Sequence, residues 1–300
     1  MRRGLFGLMG AALAVAANLA EAAPPALHVM LTNDDGYQAA GLVAVRAALQ
    51  EAGFRVTVVA PLNQQSGSGV RLTLGQIVVK AHGDDIWSVD GSPADSAAYG
   101  LSRVLATERP DVVVSGANLG QNLGANAVSS GTVGAAVMAV QLGVPAIAVS
   151  VGLDLAEAKA APTPFPSTVA AYPLAGKFVA QLITRLAQAA QGGPLLPPDT
   201  IINVNLPARP AAAIQGVRLA PLGRLGGFRM IYREQPEPTH ILSTVEIDSA
   251  GRADAQADTG WFARDYITVS VLRPDWNAAP AEGTALTARL GTLETLRPQP

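Results

Sequence analysis

The chain has no cysteine and only 3 histidines in 300 residues. Lack of cysteine removes disulfides, thiolate zinc sites, iron–sulfur clusters and cysteine nucleophiles. His28, His82 and His240 are too few for a histidine-rich metal site. None of them falls in a motif, and His82 and His240 read as surface or structural side chains. Charge is scarce too: 15% of residues, against about 25% in an average soluble domain. The formal net charge is −2, from 21 basic and 23 acidic residues. That balance gives no electrostatic case for binding a nucleic-acid polymer or an acidic membrane. No G-x-S-x-G occurs, so a serine hydrolase built on a nucleophile elbow is excluded. An aspartyl-phosphate enzyme would usually carry D-x-D, whereas Asp34 and Asp35 are adjacent.

What is present is apolar. Hydrophobic residues make up 49% of the chain, enough for a large core and incompatible with global disorder. Met1-Arg2-Arg3, an uncharged apolar run from Gly4 to Leu19, and Ala20-Glu21-Ala22 have the layout of a secretory signal peptide. Cleavage after Ala22 leaves a mature chain starting Ala23-Pro24-Pro25, with no other stretch long enough to span a bilayer. The expected location is therefore the periplasm or beyond. Residues 23–300 read as one domain, with a core over about 24–210 and an extension over about 211–300.

The core alternates strands and helices. Leu27–Thr32, Arg55–Ala60, Ile77–Lys80, Asp111–Ser115, Ala146–Ser150 and Ile201–Leu206 read as strands. Ala39–Gly53, Pro93–Ala106, Gly131–Leu142 and Val169–Ala190 read as helices, with Ser92 as N-cap and Pro93 at N1 of the second. The expected fold is α/β: a Rossmann-like three-layer core with a mainly parallel sheet, plus a C-terminal β-rich arm or hairpin. In that extension Val217–Leu219, His240–Ile247 and Tyr266–Leu272 read as strands, and Gly283–Leu296 as a last helix. Trp261, Phe262 and Trp276 are read as core or interface packing rather than as a base-stacking platform.

Polar residues collect at the strand ends, where open α/β sheets bind ligands. Thr32-Asn33-Asp34-Asp35-Gly36 brings two carboxylates together, and these repel unless a cation or proton joins them. A hard divalent metal suits such oxygens. Asx-turn chemistry explains the same letters. Asn63 to Gly69 offers the Ser66 hydroxyl to a metal or phosphate, and its glycines let N–H groups approach an anion. Ser115 to Gly124 contains Asn118, a neutral oxygen donor. Its glycine spacing is not G-x-G-x-x-G. Ser129-Ser130-Gly131-Thr132 opens a helix, where free N–H groups can hold phosphate oxygens, and N-capping by Ser130 explains it equally. Each signal alone is weak. Together they describe an oxygen-ligated metal beside an oxyanion cradle.

Those residues carry a resemblance. Leu31-Thr32-Asn33-Asp34-Asp35-Gly36 with Gly41, Val59-Ala60-Pro61 with Gln65-Ser66-Gly67-Ser68-Gly69, and Asp90-Gly91-Ser92-Pro93-Ala94-Asp95 follow in order. Pro110 to Gly120 and Ser130-Gly131-Thr132-Val133 complete the series. The set resembles the motifs of the SurE family of metal-dependent 5′/3′-nucleotidases and acid phosphatases. The resemblance implies one divalent metal per subunit, Mg²⁺ or Mn²⁺, held by Asp34, Asp35, Ser66 and Asn118. Asp34 and Asp35 would act catalytically, and Asn118, Ser130, Gly131 and Thr132 would contact phosphate. It also implies a C-terminal hairpin exchanged in a homodimer, often paired to a homotetramer. The expected activity is hydrolysis of nucleoside 5′- or 3′-monophosphates. A broad-specificity periplasmic acid phosphatase is the alternative, and a non-enzymatic periplasmic binding protein is a second one. Leu62-Asn63-Gln64-Gln65 replaces the Asp-Arg-Asn-Arg of many bacterial members and resembles the acid-phosphatase branch.

Overall fold

A computed structural model describes residues 26–154, 156–157, 165–225, 228–237, 239–247, 254–275 and 277–290. Residues 1–22, expected to form a signal peptide, and Trp276 lie outside the described residues. The core strands are β1 (His28–Thr32), β2 (Arg55–Pro61), β3 (Val79–Gly83), β4 (Ile86–Val89), β5 (Val112–Leu119), β6 (Ala146–Val151) and β7 (Ile201–Leu206). The helices among them are α1 (Ala40–Glu51), α2 (Pro93–Tyr99), α3 (Gly131–Gln141) and α4 (Pro166–Ala190). Beyond β7 come β8 (Val217–Leu219), β9 (Phe228–Glu234), β10 (Ile241–Ile247), α5 (Asp258–Phe262), β11 (Ile267–Leu272) and α6 (Pro280–Leu290).

Nine strands form one sheet in the order β3-β4-β2-β1-β5-β6-β7-β11-β8. β4, β2, β1, β5, β6 and β7 run parallel, while β3 and β11 pair antiparallel with β4 and β7. The expected layered α/β fold is therefore present. The extension divides in two: β8 and β11 widen the main sheet, whereas β9 and β10 form a separate antiparallel hairpin. β4 and β9 were not foreseen from the sequence. The helix expected over 93–106 is shorter. After Tyr99 the backbone widens to an i→i+5 turn over Gly100–Val104, where Leu105 N–H donates to the Gly100 carbonyl.

Side-chain alternation builds two cores. In β1, Val29 and Leu31 face α1 and α4, packing with Leu42, Val45, Leu49, Val179 and Ile183. Met30 points the other way, toward α2 and α3, with Val59, Leu101, Ala135 and Val140. Both sheet faces are covered, which explains the nearly continuous apolar strands. Each large side chain buried in this way contributes about 1.5–3 kcal/mol. β1 lies between β2 and β5, so the residues at its end are fixed from both sides.

Small residues set the spacing. A Cβ on Gly41 of α1 would stand 2.0 Å from the Ala117 carbonyl oxygen. One on Gly134 of α3 would stand 1.9 Å from the Gly69 carbonyl oxygen. α3 therefore touches the loop after β2 backbone to backbone. Alanine in a free helix is favoured over glycine by about 1 kcal/mol. Here the overlap should outweigh that gain. Gly134→Ala is expected to destabilise the protein by about 1–3 kcal/mol, the usual cost of overpacking, measured by denaturant unfolding. A stabilised variant would show that this close approach is not needed.

Candidate functional site

β1 ends at Thr32, and Asn33 turns the chain by donating from Nδ2 to the Gly36 carbonyl at 2.8 Å. Asp34 and Asp35 follow directly. Asp34 is 2% exposed. Its Oδ1 accepts from the Thr132 hydroxyl at 2.7 Å, and its Oδ2 lies beside Gly131, where a Cβ would come within 3.0 Å. The carboxylate thus sits at the start of α3, where helix polarity favours negative charge. Burial still dominates. With repulsion from Asp35 added, it pushes the Asp34 carboxyl up to about 6, against the opposing Thr132 hydrogen bonds. Burial raises Asp35 as well, against the Leu119 N–H that donates to its Oδ2 at 2.9 Å.

β5 runs on through the Asn118 cluster, with a register shift against β6 between Ser115 and Asn118. Gly116 takes φ +131° there, and a Cβ on it would stand 2.1 Å from the Val149 carbonyl oxygen. Asn118 donates from Nδ2 to the Gly120 carbonyl at 2.6 Å, while its buried Oδ1 has no partner among the described residues. A buried amide oxygen without a donor is costly unless a ligand meets it. Ser66 is exposed on the loop after β2, and its Oγ accepts from Gln64 Nε2 at 2.6 Å. That loop is pinned by Gln65 N–H to the Asp34 carbonyl and by Gly69 N–H to the Ser129 carbonyl.

A cavity of about 300 Å³ opens at these strand ends. Asp34, Ser66, Asn118 and Ser130 all line it. Asp35 is half-buried beside it, tied to Leu119 of the cavity wall. Ser130 caps α3 by accepting from Val133 N–H at 3.1 Å. Gly131 lies against Asp34, and Thr132 is fully buried with its hydroxyl on Asp34. Among the described residues no three His, Asp or Glu side chains gather as a metal cluster. The donors present are two carboxylates, one amide oxygen and one hydroxyl.

Several participants were not foreseen. Phe228 and Glu246 of the hairpin line the cavity, and Asn126 holds Phe228 through bonds to both its N–H and its carbonyl. Asn122 bridges the cavity wall to β6 and β7 through Ser150, Asn203 and Asn205. Tyr172 of α4 is buried near Asp35, and burial and that charge push its phenol above its ordinary range. Asp258 is fully buried and accepts from the N–H groups of Gly124, Gly223 and Thr259, joining the C-terminal part to the loop after β5. One signal was readable: Ser92-x-x-Asp95 is a capping box, and Asp95 also accepts from the Thr73 N–H and hydroxyl. His82 stacks on Tyr37 at 4.5 Å, and His28 is buried against Thr57.

The fold and site define a doubly wound α/β protein with an oxygen-donor cavity at the carboxyl ends of its central strands. Residues 29–226 match the family model described as "Survival protein SurE". The chain belongs to the SurE family. It is 33% identical over 249 residues to the Burkholderia lata protein named "5′-nucleotidase SurE 1", covering 82% of this chain and 90% of the relative. It is 40% identical over 214 residues to a "5′-nucleotidase SurE" from Symbiobacterium thermophilum, covering 69% and 74%. The crystal structure of the SurE protein from Aquifex aeolicus superposes with a TM-score of 0.67 at 26% identity, covering 88% of this chain and 99% of that one.

The raised Asp34 carboxyl sets a pH dependence for the metal-free protein. A carboxyl whose folded value lies above its unfolded one adds stability that is complete below about 4, and loses it as pH rises through about 6. Asp34→Asn removes that titration. Thermal melts in chelator should show a flatter decline for the variant between about pH 4 and about pH 7, with a gain on the order of 3 kcal/mol near neutrality. Parallel curves for the two proteins would contradict the assigned burial cost.

Proposed function

We propose that this protein is a divalent-metal-dependent phosphomonoesterase acting on nucleoside 5′- or 3′-monophosphates. The observation that carries the reading is the charge of the cavity. Among its described lining residues are Asp34 and Glu246 but no lysine or arginine. A phosphate dianion entering such a site needs positive charge from elsewhere, and adjacent buried carboxylates with an unpaired amide oxygen are donors for a hard cation. Asp34, Asp35, Ser66 and Asn118 would hold Mg²⁺ or Mn²⁺, one per subunit. Such an ion, when bound, polarises a phosphoryl oxygen and acidifies water.

The chain's own groups do the rest. The α3 start, with Ser130 on the cavity wall, orients phosphate oxygens. A water oxygen bonds to phosphorus as the ester P–O bond breaks. The proton of that water passes to Asp34 or Asp35, and that carboxyl returns it to the leaving alkoxide to give the nucleoside. The relatives named 5′-nucleotidase support this substrate class. The neutral Gln64 and Gln65 beside Ser66 favour, as a second reading, a broader acid phosphatase.

Export by the 1–22 segment would place the enzyme in the periplasm or outside the cell. Assembly as a homodimer or homotetramer suits the hairpin, whose Met230, Tyr232, Ile241 and Leu242 are exposed, and α6, which has no buried residue. An isolated two-stranded hairpin is marginal in water, so a covering partner would stabilise it. No described helix is long and apolar enough to cross a membrane.

The test is hydrolysis of nucleoside monophosphates and p-nitrophenyl phosphate by the mature protein, with and without chelator. Activity should vanish on chelation and return with Mn²⁺. Asp35→Ala should lose about a hundredfold or more in kcat/KM, on the scale of charge stabilisation by a metal ion. Full activity in chelator, or an Asp35→Ala enzyme near wild type, would overturn the reading.

A further inference from the structure

We propose that Thr132 is a positioning residue for Asp34: its hydroxyl, held by Asn122, fixes one carboxylate oxygen so that the other is presented to the cation. This rests on the metal site proposed above and goes beyond it, because it removes Thr132 from the phosphate-contacting set.

A threonine hydroxyl has one hydrogen to give. Thr132 gives it to Asp34 Oδ1 at 2.7 Å. In the other direction the hydroxyl accepts from Asn122 Nδ2 at 3.2 Å. Thr132 is 0% exposed and does not line the cavity, whereas Ser130, two residues earlier, does. A phosphate in the cavity therefore meets Ser130 and not the Thr132 hydroxyl.

Asn122 is itself immobilised. Its Nδ2 also donates to Ser150 Oγ at 2.9 Å, and its backbone N–H donates to Asn205 Oδ1 at 2.7 Å. Its carbonyl accepts from the side-chain amides of Asn203 and Asn205 at 2.9 and 3.2 Å. Ser150 of β6 and Asn203 and Asn205 of β7 are fully buried. A continuous line of hydrogen bonds thus runs from the far half of the sheet to the carboxylate at the end of β1. Rotation of Asp34 about its last bond would break that line. Partners of this kind, which touch a metal's ligand and not the metal, typically set ligand orientation and affinity.

The experiment is calorimetric titration of Mn²⁺ into chelator-treated, purified protein without substrate, for wild type, Thr132→Val and Thr132→Ser. Thr132→Val keeps the shape and loses the hydroxyl, and should bind Mn²⁺ roughly ten- to a hundredfold more weakly. Thr132→Ser keeps the hydroxyl and should bind close to wild type. At saturating Mn²⁺, Thr132→Val should keep a near-normal KM for nucleoside monophosphate and near-normal inhibition by inorganic phosphate. Unchanged Mn²⁺ affinity with a raised KM would overturn the proposal in favour of phosphate contact. A lowered Tm with unchanged Mn²⁺ affinity would overturn it in favour of simple packing. If Thr132→Val does not fold, judged by circular dichroism, Asn122→Ser is titrated in its place. It should bind Mn²⁺ more weakly than wild type, and wild-type affinity there overturns the proposal too. A wild type that takes up no Mn²⁺ would instead remove the underlying metal site.

Discussion

Two carboxylates on adjacent residues, one almost fully buried, are the constraint that organises this molecule. Ionised carboxyl groups so placed repel each other and lose hydration, a cost that must be met by donors or a cation. The chain commits several elements to it. α3 brings its N-terminus and the Thr132 hydroxyl to Asp34, and the end of β5 brings the Leu119 N–H to Asp35. The loop after β2 is tied to the Asp34 carbonyl through Gln65. Each tie engages a named atom of its residue. Asn118 has its Nδ2 engaged, and its Oδ1 has no partner among the described residues.

Bringing four elements to one point demands close approach, and the glycines at the contacts supply it. Gly41, Gly116 and Gly134 each stand where a Cβ would lie about 2 Å from a carbonyl oxygen of a neighbouring segment. Such contacts let main chains, rather than long side chains, set the distances in the site. Main chain held by a sheet is stiffer than a side chain, which favours preorganised ligands. The small-residue composition of α3 follows from this: Gly131, Gly134, Ala135, Ala136 and Ala139 are all buried. A helix of bulky residues would hold β5 and the serine loop apart.

The alternation of strands and helices was legible because it depends on local periodicity. Val112 to Val114, Ala146 to Ser150 and Ile201 to Leu206 are apolar runs that only a sheet covered on both faces can bury. The gathering of Asp34, Ser66, Asn118 and Ser130 at one cavity was legible because turn glycines and clustered polar residues mark strand ends. Direction of a side chain was not. Thr132 reads as an anion-binding residue at a helix start, and the fold turns it inward to Asp34. The same letters serve both roles, and the choice between them depends on the packing of α3 against β1. Phe228 and Glu246 were invisible for a different reason. They lie 98 and 116 residues beyond Ser130 in the chain's order, on a hairpin whose sequence carries no motif, and only its placement brings them to the cavity.

The scarcity of charge in the chain is felt most strongly at the cavity. Asp34 and Glu246 line it, and among the described residues the one arginine bonded to either, Arg229, is paired with Glu246 at 2.8 Å and lies outside the lining set. Arg71 reaches the loop before Ser66 but spends its contact on Gln65, a neutral residue. A site that recognised phosphate through fixed arginines would bind it with the protein alone and would hold product as tightly as substrate. In the proposed phosphomonoesterase, the attraction for a dianion would come from an exchangeable cation and from the helix start, both acting on the phosphoryl group. That arrangement asks little of the leaving alcohol. On that proposal, selection among alcohols would fall to the outer wall, where Phe228 and Glu246 line the cavity, both carried on the hairpin and not on the sheet that holds the carboxylates.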